Sequence, residues 1–509
     1  MNNIKIKLVQ LLLVCILLSC SKNNLDLNNP NQVPKETFWQ TENDVLSALG
    51  ATYNLLRNVN SGYWGVRGVE MSNGRGDDFF IRNDVKALYQ FSTFTNSPDN
   101  GTVSTFWNGC YQSIYRANQI IENVGDVEMD AAKKSAYTAE ARFLRGLNYF
   151  LLVINFGEVP LHTIVPPDRE GYYLPKSPEE AVWQQVFADF SAAADSLPVS
   201  YPEAWMGRAT RGAALGYLGK AHLYHKDWAE AEAAFAQLMT APFAYDLMPN
   251  FGDNFTAEFE NNRESVFEIQ VEDVGGPNPW TSGANESLGV TTAQEFAPAE
   301  VAGWFEAYPT DKVLNEFKKE RTVADDWDPR MYATLVWEGQ EGTFYNRPIA
   351  DFFPTEFGFK SRFKKYQNYN QNDETKGKNG ANYSSSINER ALRFADILLM
   401  YAEAVTMQAR PAEAYPAVNR IRQRAHLAAL PAGYTQDQMM AEIRHQRMIE
   451  FCREGLRFYD LRRWGLLEQE IKNSDKVGRE FFVLRKHELF PIPQAEMDAN
   501  PKMEQNPNW

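Results

Sequence analysis

The chain has 509 residues, of which 44% are hydrophobic and 23% are charged. This composition is typical of a globular protein, and it excludes a disordered chain, a collagen-like fibre and a membrane protein with several spans. The formal net charge is -15, from 51 Lys and Arg against 66 Asp and Glu. Because nucleic acid repels so acidic a chain, we expect no nucleic-acid partner.

The start of the chain has the features of a targeting segment. Lysines precede an apolar run over residues 8–18, which is too short to span a bilayer. The run ends in Leu-Leu-Ser-Cys, which describes a secretory signal peptide and resembles the bacterial lipobox, in which the cysteine is acylated. We therefore predict a signal peptide over residues 1–19, lipidation of Cys20 and a polar tether over 20–33. An ordinary signal peptide with an incidental cysteine is the alternative.

Apolar residues that recur at steps of three and four predict a series of helices in the first half of the chain. Pro178 fits the first turn of the last of them, with Ser177 as its N-cap. The predicted helices are Glu42–Arg57, 105–124, Ala131–Phe156 and 178–197.

Two later segments share a pattern of helix, short turn and helix. They cover residues 218–235 and 399–418, with small residues such as Gly219 where the two helices would approach most closely. The pattern resembles the tetratricopeptide repeat, although the second copy lacks the glycine. Weaker pairs at 131–197 and 435–467 could extend the array, since such repeats bury their apolar faces by stacking. A generic helical bundle is the alternative to this mostly α, tetratricopeptide-like scaffold.

The helical periodicity is interrupted over residues 241–386, where Gly, Pro, Asn and aromatic residues dominate. Alternation predicts short strands at 265–271 and 331–337, and a helix is expected at about 311–320. An Asn-, Gly- and Ser-rich segment at 367–386 is expected to be a mobile loop. Long insertions of this kind in compact proteins are usually functional, so we expect this block to face the ligand.

Sequence signals for catalysis are mostly missing. The chain has no phosphate-binding P-loop motif, no zinc-protease motif and no serine-hydrolase motif, so we expect no cofactor, no metal and no catalytic residue. A glycosidase needs two carboxylates across a sugar, but the adjacent pair Asp77-Asp78 would point apart. We interpret Asp78 as a residue that hydrogen-bonds a ligand, or the pair as structural partners of Arg75.

Tryptophans in Gly- and Pro-rich segments are the best candidates for ligand contact. They are Trp64, Trp280 and Trp304. Aromatic rings bury a large area at low entropic cost and suit the apolar faces of sugars, while neighbouring polar groups bond the hydroxyls. Alternatively, each ring packs back on the helices and holds its own loop in place. With Asp78, these residues form the predicted ligand-binding set.

Charged residues embedded in apolar helices occur throughout the C-terminal third. Arg393, Asp396 and Glu403 lie on one predicted helix, and Glu450 and Asp460 lie on the next pair. Because an unpaired buried charge is costly, we predict an ion-pair lattice that stabilises the fold and has no catalytic role. Two further cysteines outside the leader could form a disulfide, but their apolar surroundings favour two small buried hydrophobes.

Long and specific motifs occur in the C-terminal third and on one helix near the N-terminus. The motifs are Arg362-Phe363-Lys364-Lys365-Tyr366, Arg393-Phe394-Ala395-Asp396, Val418-Asn419-Arg420-Ile421-Arg422, Glu454-Gly455-Leu456-Arg457 and Asp460-Leu461-Arg462-Arg463-Trp464-Gly465, with Trp107, Tyr111, Ile114 and Asn118 on one helix near the N-terminus. These motifs resemble those of the SusD/RagB family of outer-membrane nutrient-binding lipoproteins, and the resemblance covers essentially the whole mature chain.

The resemblance implies capture without catalysis. Such proteins bind oligosaccharide at the cell surface and deliver it to a TonB-dependent SusC-like transporter in the outer membrane. Residues 34–509 would then form one domain, with helical scaffold at about 34–240 and 387–467, ligand-facing loops at about 60–100 and 241–386, and an extended segment at 468–509. The alternative is an outer-membrane lipoprotein of the same scaffold that binds a peptide or protein. The residues after Cys20 lack the acidic run linked to surface export, so a position facing outside is implied by the family alone.

Overall fold

A computed structural model describes residues 38–58, 62–65, 67–272, 289–354, 358–367, 369 and 385–509. The predicted leader, Cys20 and its tether, Trp280 and most of the predicted mobile loop lie outside these ranges. Within them, no helix is both long and apolar enough to cross a membrane.

Helices dominate the N-terminal half, and two of them have the predicted bounds. The first helix begins at a capping box in which the Thr41 hydroxyl accepts from the Asp44 amide and the Asp44 carboxylate accepts from the Thr41 amide. The helices here are α1 (Glu42–Arg57), α2 (Gly68–Gly74), α3 (Lys86–Ser92), α4 (Gly101–Asn123), α5 (Ala131–Phe156), α6 (Glu179–Ser196), α7 (Arg211–His225) and α8 (Trp228–Leu238).

The predicted cap of α6 is wrong by one residue. Pro178 is itself the N-cap, and Ser177 instead forms an isolated β-bridge with Val159, to whose carbonyl its amide donates at 3.0 Å. Ser177 could either cap α6 or bond Val159, and the sequence pattern indicated only the helix cap.

Shorter elements make up the irregular block and the C-terminal third. The remaining helices are α9 (Thr292–Phe296), α10 (Asp311–Phe317), α11 (Pro329–Thr334), α12 (Phe394–Met407), α13 (Tyr415–Arg424), α14 (Gln436–Glu450), α15 (Arg457–Arg463), α16 (Leu467–Asn473) and α17 (Gln494–Ala499). The strands are β1 (Phe79–Ile81), β2 (Ser265–Ile269), β3 (Ala307–Pro309), β4 (Leu335–Trp337), β5 (Thr343–Phe344), β6 (Arg347–Pro348), β7 (Ser361–Phe363) and β8 (Glu389–Arg393).

The helices stack in chain order, as the repeat pattern predicted. α4 packs on α5, α5 on α6, α6 on α7 and α7 on α8, and α8 then packs on α12 across the irregular block. Where α7 meets α8, a Cβ added to Gly219 would lie 2.5 Å from a ring carbon of Phe235, so the approach requires glycine. The predicted second pair is α12 and α13. The fold is mostly α with a tetratricopeptide-like scaffold.

The strand predicted at 331–337 is correct only for its last three residues. Its first part belongs to α11, which begins with Pro329 in its first turn and with the Asp328 carboxylate accepting from the Arg330 amide. β4 follows directly and pairs with β7. The helix was signalled by Pro329 and by the capping Asp328, which a prediction from alternation alone does not take into account.

Two antiparallel pairings tie the irregular block to the scaffold. β2 pairs with β8, so the block leaves α8 and returns to α12 through one two-stranded sheet. β1 pairs with β3, which joins the block to the segment between α2 and α3. The two segments predicted to face the ligand therefore meet, although they are far apart in sequence.

The predicted ion-pair lattice is confirmed. Arg393 bonds Glu450, Arg447 bonds both Asp396 and Asp460, and Arg463 bonds Glu403. All of these side chains are at least nine-tenths buried. The two remaining cysteines, at the middle of α4 and just after α14, are buried and free.

Candidate functional site

The pairing of β1 with β3 places aromatic side chains at the surface. Phe80 lies opposite Tyr308, and the residues on either side of each are buried. Because successive side chains of a strand point to opposite faces, Phe80 and Tyr308 share the outer face. The backbone hydrogen bonds of this strand pair continue by one bond at each end, from the Arg82 amide to the Glu306 carbonyl and from the Thr310 amide to the Asp78 carbonyl.

Aromatic residues on and beside these two strands form a group that we call the aromatic ladder (Phe80, Trp304, Phe305, Tyr308 and Phe359). The Phe80 and Tyr308 rings are stacked with centroids 5.2 Å apart, and the Tyr308 and Phe359 centroids are 4.1 Å apart. Phe305 stacks on Tyr308 from the buried side. The other four rings are only partly buried, so they offer apolar faces to a ligand.

Two arginines hold Trp304 at one end of the aromatic ladder. The Arg82 guanidinium donates to the Trp304 carbonyl at 2.8 Å, and the Arg67 guanidinium lies 5.9 Å from the centre of the Trp304 ring. Arg82 is also paired with the exposed Asp84. Aromatic faces therefore lie beside guanidinium and carboxylate groups, which is the combination that a polar ligand with flat apolar faces requires.

A buried carboxyl group, that of Glu306, lies at this end of the aromatic ladder. Arg67 has a left-handed backbone conformation and donates to Glu306 at 2.9 Å. Burial and the nearby charge of Glu295 raise the pKa of Glu306 to about 7. Near neutral pH, Glu306 can therefore accept or donate a hydrogen bond.

Trp64 and Trp304 lie in different surroundings. Trp64 is half-buried against the main core, makes an edge contact with Tyr63 and lines a small cavity of about 40 Å³ with Gly455. This is the packing that the sequence left open as the alternative to ligand contact. Trp304 is the predicted tryptophan that the structure places on the aromatic ladder, while Trp280 lies outside the described residues.

Asp78 contributes to the pairing of β1 with β3 through its backbone carbonyl alone. Its side chain is 2% exposed, so it does not reach the outer surface. Burial and the adjacent Asp77 raise its pKa to about 7. Asp77 pairs with Arg457 and Lys312 and not with Arg75, whose guanidinium lies between the rings of two phenylalanines. The structural pair expected with Arg75 is therefore formed with Arg457.

Asp78 leads to a testable dependence of stability on pH. Its pKa in the folded protein lies above its ordinary value of 3.8, so folding favours the protonated form. The free energy of unfolding should fall as the pH rises from about 4 to about 7. Asp78→Asn removes this charge, so it should stabilise the protein by at least about 1 kcal/mol more at pH 8 than at pH 5.

Denaturant titrations at the two pH values measure this difference. Asp84→Asn is the matched control, because Asp84 is exposed and its Arg82 partner lowers its pKa. That variant should gain no stability at pH 8. An equal effect of Asp78→Asn at both pH values would contradict the assignment.

Sequence reasoning missed Phe80, Tyr308 and Phe359. The available signals were the apolar triplet around Phe80 and the single tyrosine within Ala-Tyr-Pro, each compatible with a strand. Strands of three residues give too little alternation to decide which face is exposed.

Comparisons with known proteins agree with this architecture. A family model described as the SusD family matches residues 263–509, and one described as "Starch-binding associating with outer membrane" matches residues 24–223. The SusD-like protein P2 of Formosa agariphila is 29% identical over 99% of this chain and 100% of its own length.

Solved structures show the same similarity over most of the chain. A SusD superfamily protein from Bacteroides vulgatus is 34% identical, with a TM-score of 0.85 over 93% of this chain and all of its own. The surface glycan-binding protein A from Bacteroides fluxus is 25% identical, with a TM-score of 0.76 over 92% of this chain and all of its own. The chain described here belongs to the SusD family.

Proposed function

We propose that the protein captures oligosaccharides at the bacterial surface with the aromatic ladder and delivers them to a TonB-dependent SusC-like transporter. The observation that carries this proposal is the β1–β3 pairing, which exposes aromatic rings beside Arg82 and Asp84. The family description as starch-binding and the similarity to a surface glycan-binding protein support a glycan as the ligand.

The chemistry of the aromatic ladder suits sugar binding without cleavage. Rings such as Tyr308 can cover the apolar face of a sugar, while guanidinium and carboxylate groups bond its hydroxyls. Cleavage would instead use two carboxyl groups that flank the scissile bond, one as acid and one as base or nucleophile. The carboxylates at this surface, Asp84 and Glu306, are both bonded to arginines that hold the loop. We therefore assign the buried Glu306 to positioning and the exposed Asp84 to hydroxyl recognition.

Loss of the Trp304 ring or of the Tyr308 ring should weaken glycan binding. We expect Trp304→Ala and Tyr308→Ala each to weaken the binding of oligosaccharides by about tenfold or more, which corresponds to about 1.4 kcal/mol of lost ring contact. Calorimetric titration with malto-, cello- and xylooligosaccharides measures the change, and the melting temperature reports whether each variant is folded.

Phe259→Ala is the control for this experiment, since Phe259 is an exposed ring on a different part of the irregular block. It should bind like the parent protein. Unchanged binding in both ladder variants would contradict the proposed site. Tight binding of peptides together with no oligosaccharide binding would favour the peptide-binding alternative.

We further propose that Cys20 carries the lipid that anchors the protein to the outer membrane. The motif Leu-Leu-Ser-Cys after a short apolar run supports this assignment. Cys20→Ala should abolish incorporation of labelled fatty acid and move the protein out of the outer-membrane fraction, because stable anchoring requires more than one acyl chain. Cys15→Ala, within the leader, should leave both unchanged. An unaltered membrane fraction in the Cys20 variant would exclude this anchor.

A further inference from the structure

A second cavity lies on the helical scaffold and shares no lining residue with the aromatic ladder. It has a volume of about 370 Å³ and lies between α4, the segment 160–173 and α17. This volume is near the lower end of the range for small-molecule sites, about 300–1,000 Å³, so it suits a short ligand better than a long chain.

Aromatic rings form both walls of this cavity. Trp107, Tyr111 and Tyr115 follow one another at four-residue steps on α4, so they share one face of the helix. The opposite wall carries His162 and Tyr172. The two walls touch where their rings meet, since the ring centroids are 5.8 Å apart for Tyr111 and His162 and 6.4 Å apart for Tyr115 and Tyr172.

Hydrogen bonds fix the segment that forms the opposite wall. The Tyr111 hydroxyl donates to the Pro160 carbonyl at 2.9 Å, and the Asn118 amide donates to the His162 carbonyl at 2.8 Å. The wall is therefore positioned by α4 before any ligand binds, which reduces the entropic cost of binding. Tyr172 remains 47% exposed at the rim, where a ligand would enter.

The polar groups of the cavity suit an uncharged ligand. Among its described lining residues there is no lysine and no arginine. Burial lowers the pKa of His162, so its imidazole is neutral at pH 7. Asn108 and Gln112 offer amide donors and acceptors at the surface of α4, and Glu496 is hydrogen-bonded by Trp107. An anionic sugar would find no cationic partner here.

We propose that this cavity is a second binding site, specific for a short neutral saccharide and independent of the aromatic ladder. The exposed ring of Tyr172 and the neighbouring ring of Tyr115 cover an apolar face of one sugar unit, and the amides of Asn108 and Gln112 bond its hydroxyls. A peptide fits less well, because its backbone carries donors and acceptors along its whole length that would need partners in a cavity walled by rings. This site is additional to the one proposed for glycan capture at the aromatic ladder.

Ligand-observed NMR on the full mature protein tests this site with defined probes. Methyl glycosides of glucose, galactose, mannose and xylose, each at about 10 mM, match the weak affinity expected of one sugar unit. We expect at least one probe to receive saturation from the protein. In the Tyr115→Ala/Tyr172→Ala double variant its affinity should fall by at least about tenfold.

Three further variants distinguish binding at this cavity from binding at the aromatic ladder. Binding of the same probe should persist in Trp304→Ala/Tyr308→Ala and in Phe259→Ala, so that failure of the ladder and failure of the cavity give different results. Tyr172→Ala alone, at an exposed position, should weaken binding without loss of folding, as judged by melting temperature. The proposal is overturned if no methyl glycoside binds, if the cavity variants bind as well as the parent, or if the ladder variant alone loses the probe.

Discussion

Arg393→Met should cost about 3–5 kcal/mol of unfolding free energy, which is the range for breaking a buried charge pair from one side. Arg393 is 1% exposed and donates to Glu264, Glu450 and the carboxylate of Glu454. It belongs to a buried cluster in which cations and carboxylates balance. The cations are Lys365, Arg330, Arg393 and Arg424, and the carboxylates are Asp328, Glu264, Glu450 and Glu454. The variant therefore leaves one excess negative charge in the core.

Denaturant titration at pH 7 measures this cost against a surface control. Arg410→Met also removes an arginine with two carboxylate partners, Glu232 and Glu413, but its side chain is 36% exposed. The control should lose no more than about 1 kcal/mol. Adding Glu454→Gln to the Arg393 variant should recover part of the loss, because it restores the charge balance. Equal losses in the two arginine variants would contradict a structural role for the buried lattice.

Gly219→Val should destabilise the protein by about 3 kcal/mol, at the upper end of the usual cost of overpacking. The Cβ of any larger residue here would lie 2.5 Å from the Phe235 ring, within the contact between α7 and α8. The helices would have to separate, and the helices stacked on either side limit that movement.

Gly50→Ala provides the matched control in thermal and denaturant unfolding. Gly50 lies in the middle of α1, and an added Cβ would meet nothing within 4 Å. Since alanine is the better helix former by about 1 kcal/mol, this variant should be stabilised. A Gly219 variant as stable as the parent would show that the repeat does not require close helix contact.

Much of the scaffold could be predicted because its signals are local. α1 and α5 have clear apolar periodicity and polar caps, and α5 ends at Gly157, whose φ of 72° favours glycine. The buried lattice could be predicted as well, since charges within apolar helices must be paired. Each of these inferences needs only the residues of one segment.

The site was harder to predict because it depends on a pairing between distant segments. No local pattern places Phe80 opposite Tyr308, and a shift of the register by one residue would turn Phe80 inward. The sequence therefore favours the polar Asp78 as a ligand contact, whereas the structure buries the Asp78 side chain and leaves the Phe80 ring partly exposed. Trp304 was chosen on composition alone, and its place on the aromatic ladder depends on Arg67 and Arg82.

A crystal structure of the mature protein with a bound oligosaccharide would show where the ligand lies. Capture of glycan at the aromatic ladder predicts sugar rings lying against Trp304 and Tyr308, with hydroxyls bonded to Arg82 or Asp84. Electron density for the bound chain at another surface, with the aromatic ladder left bare, would contradict it.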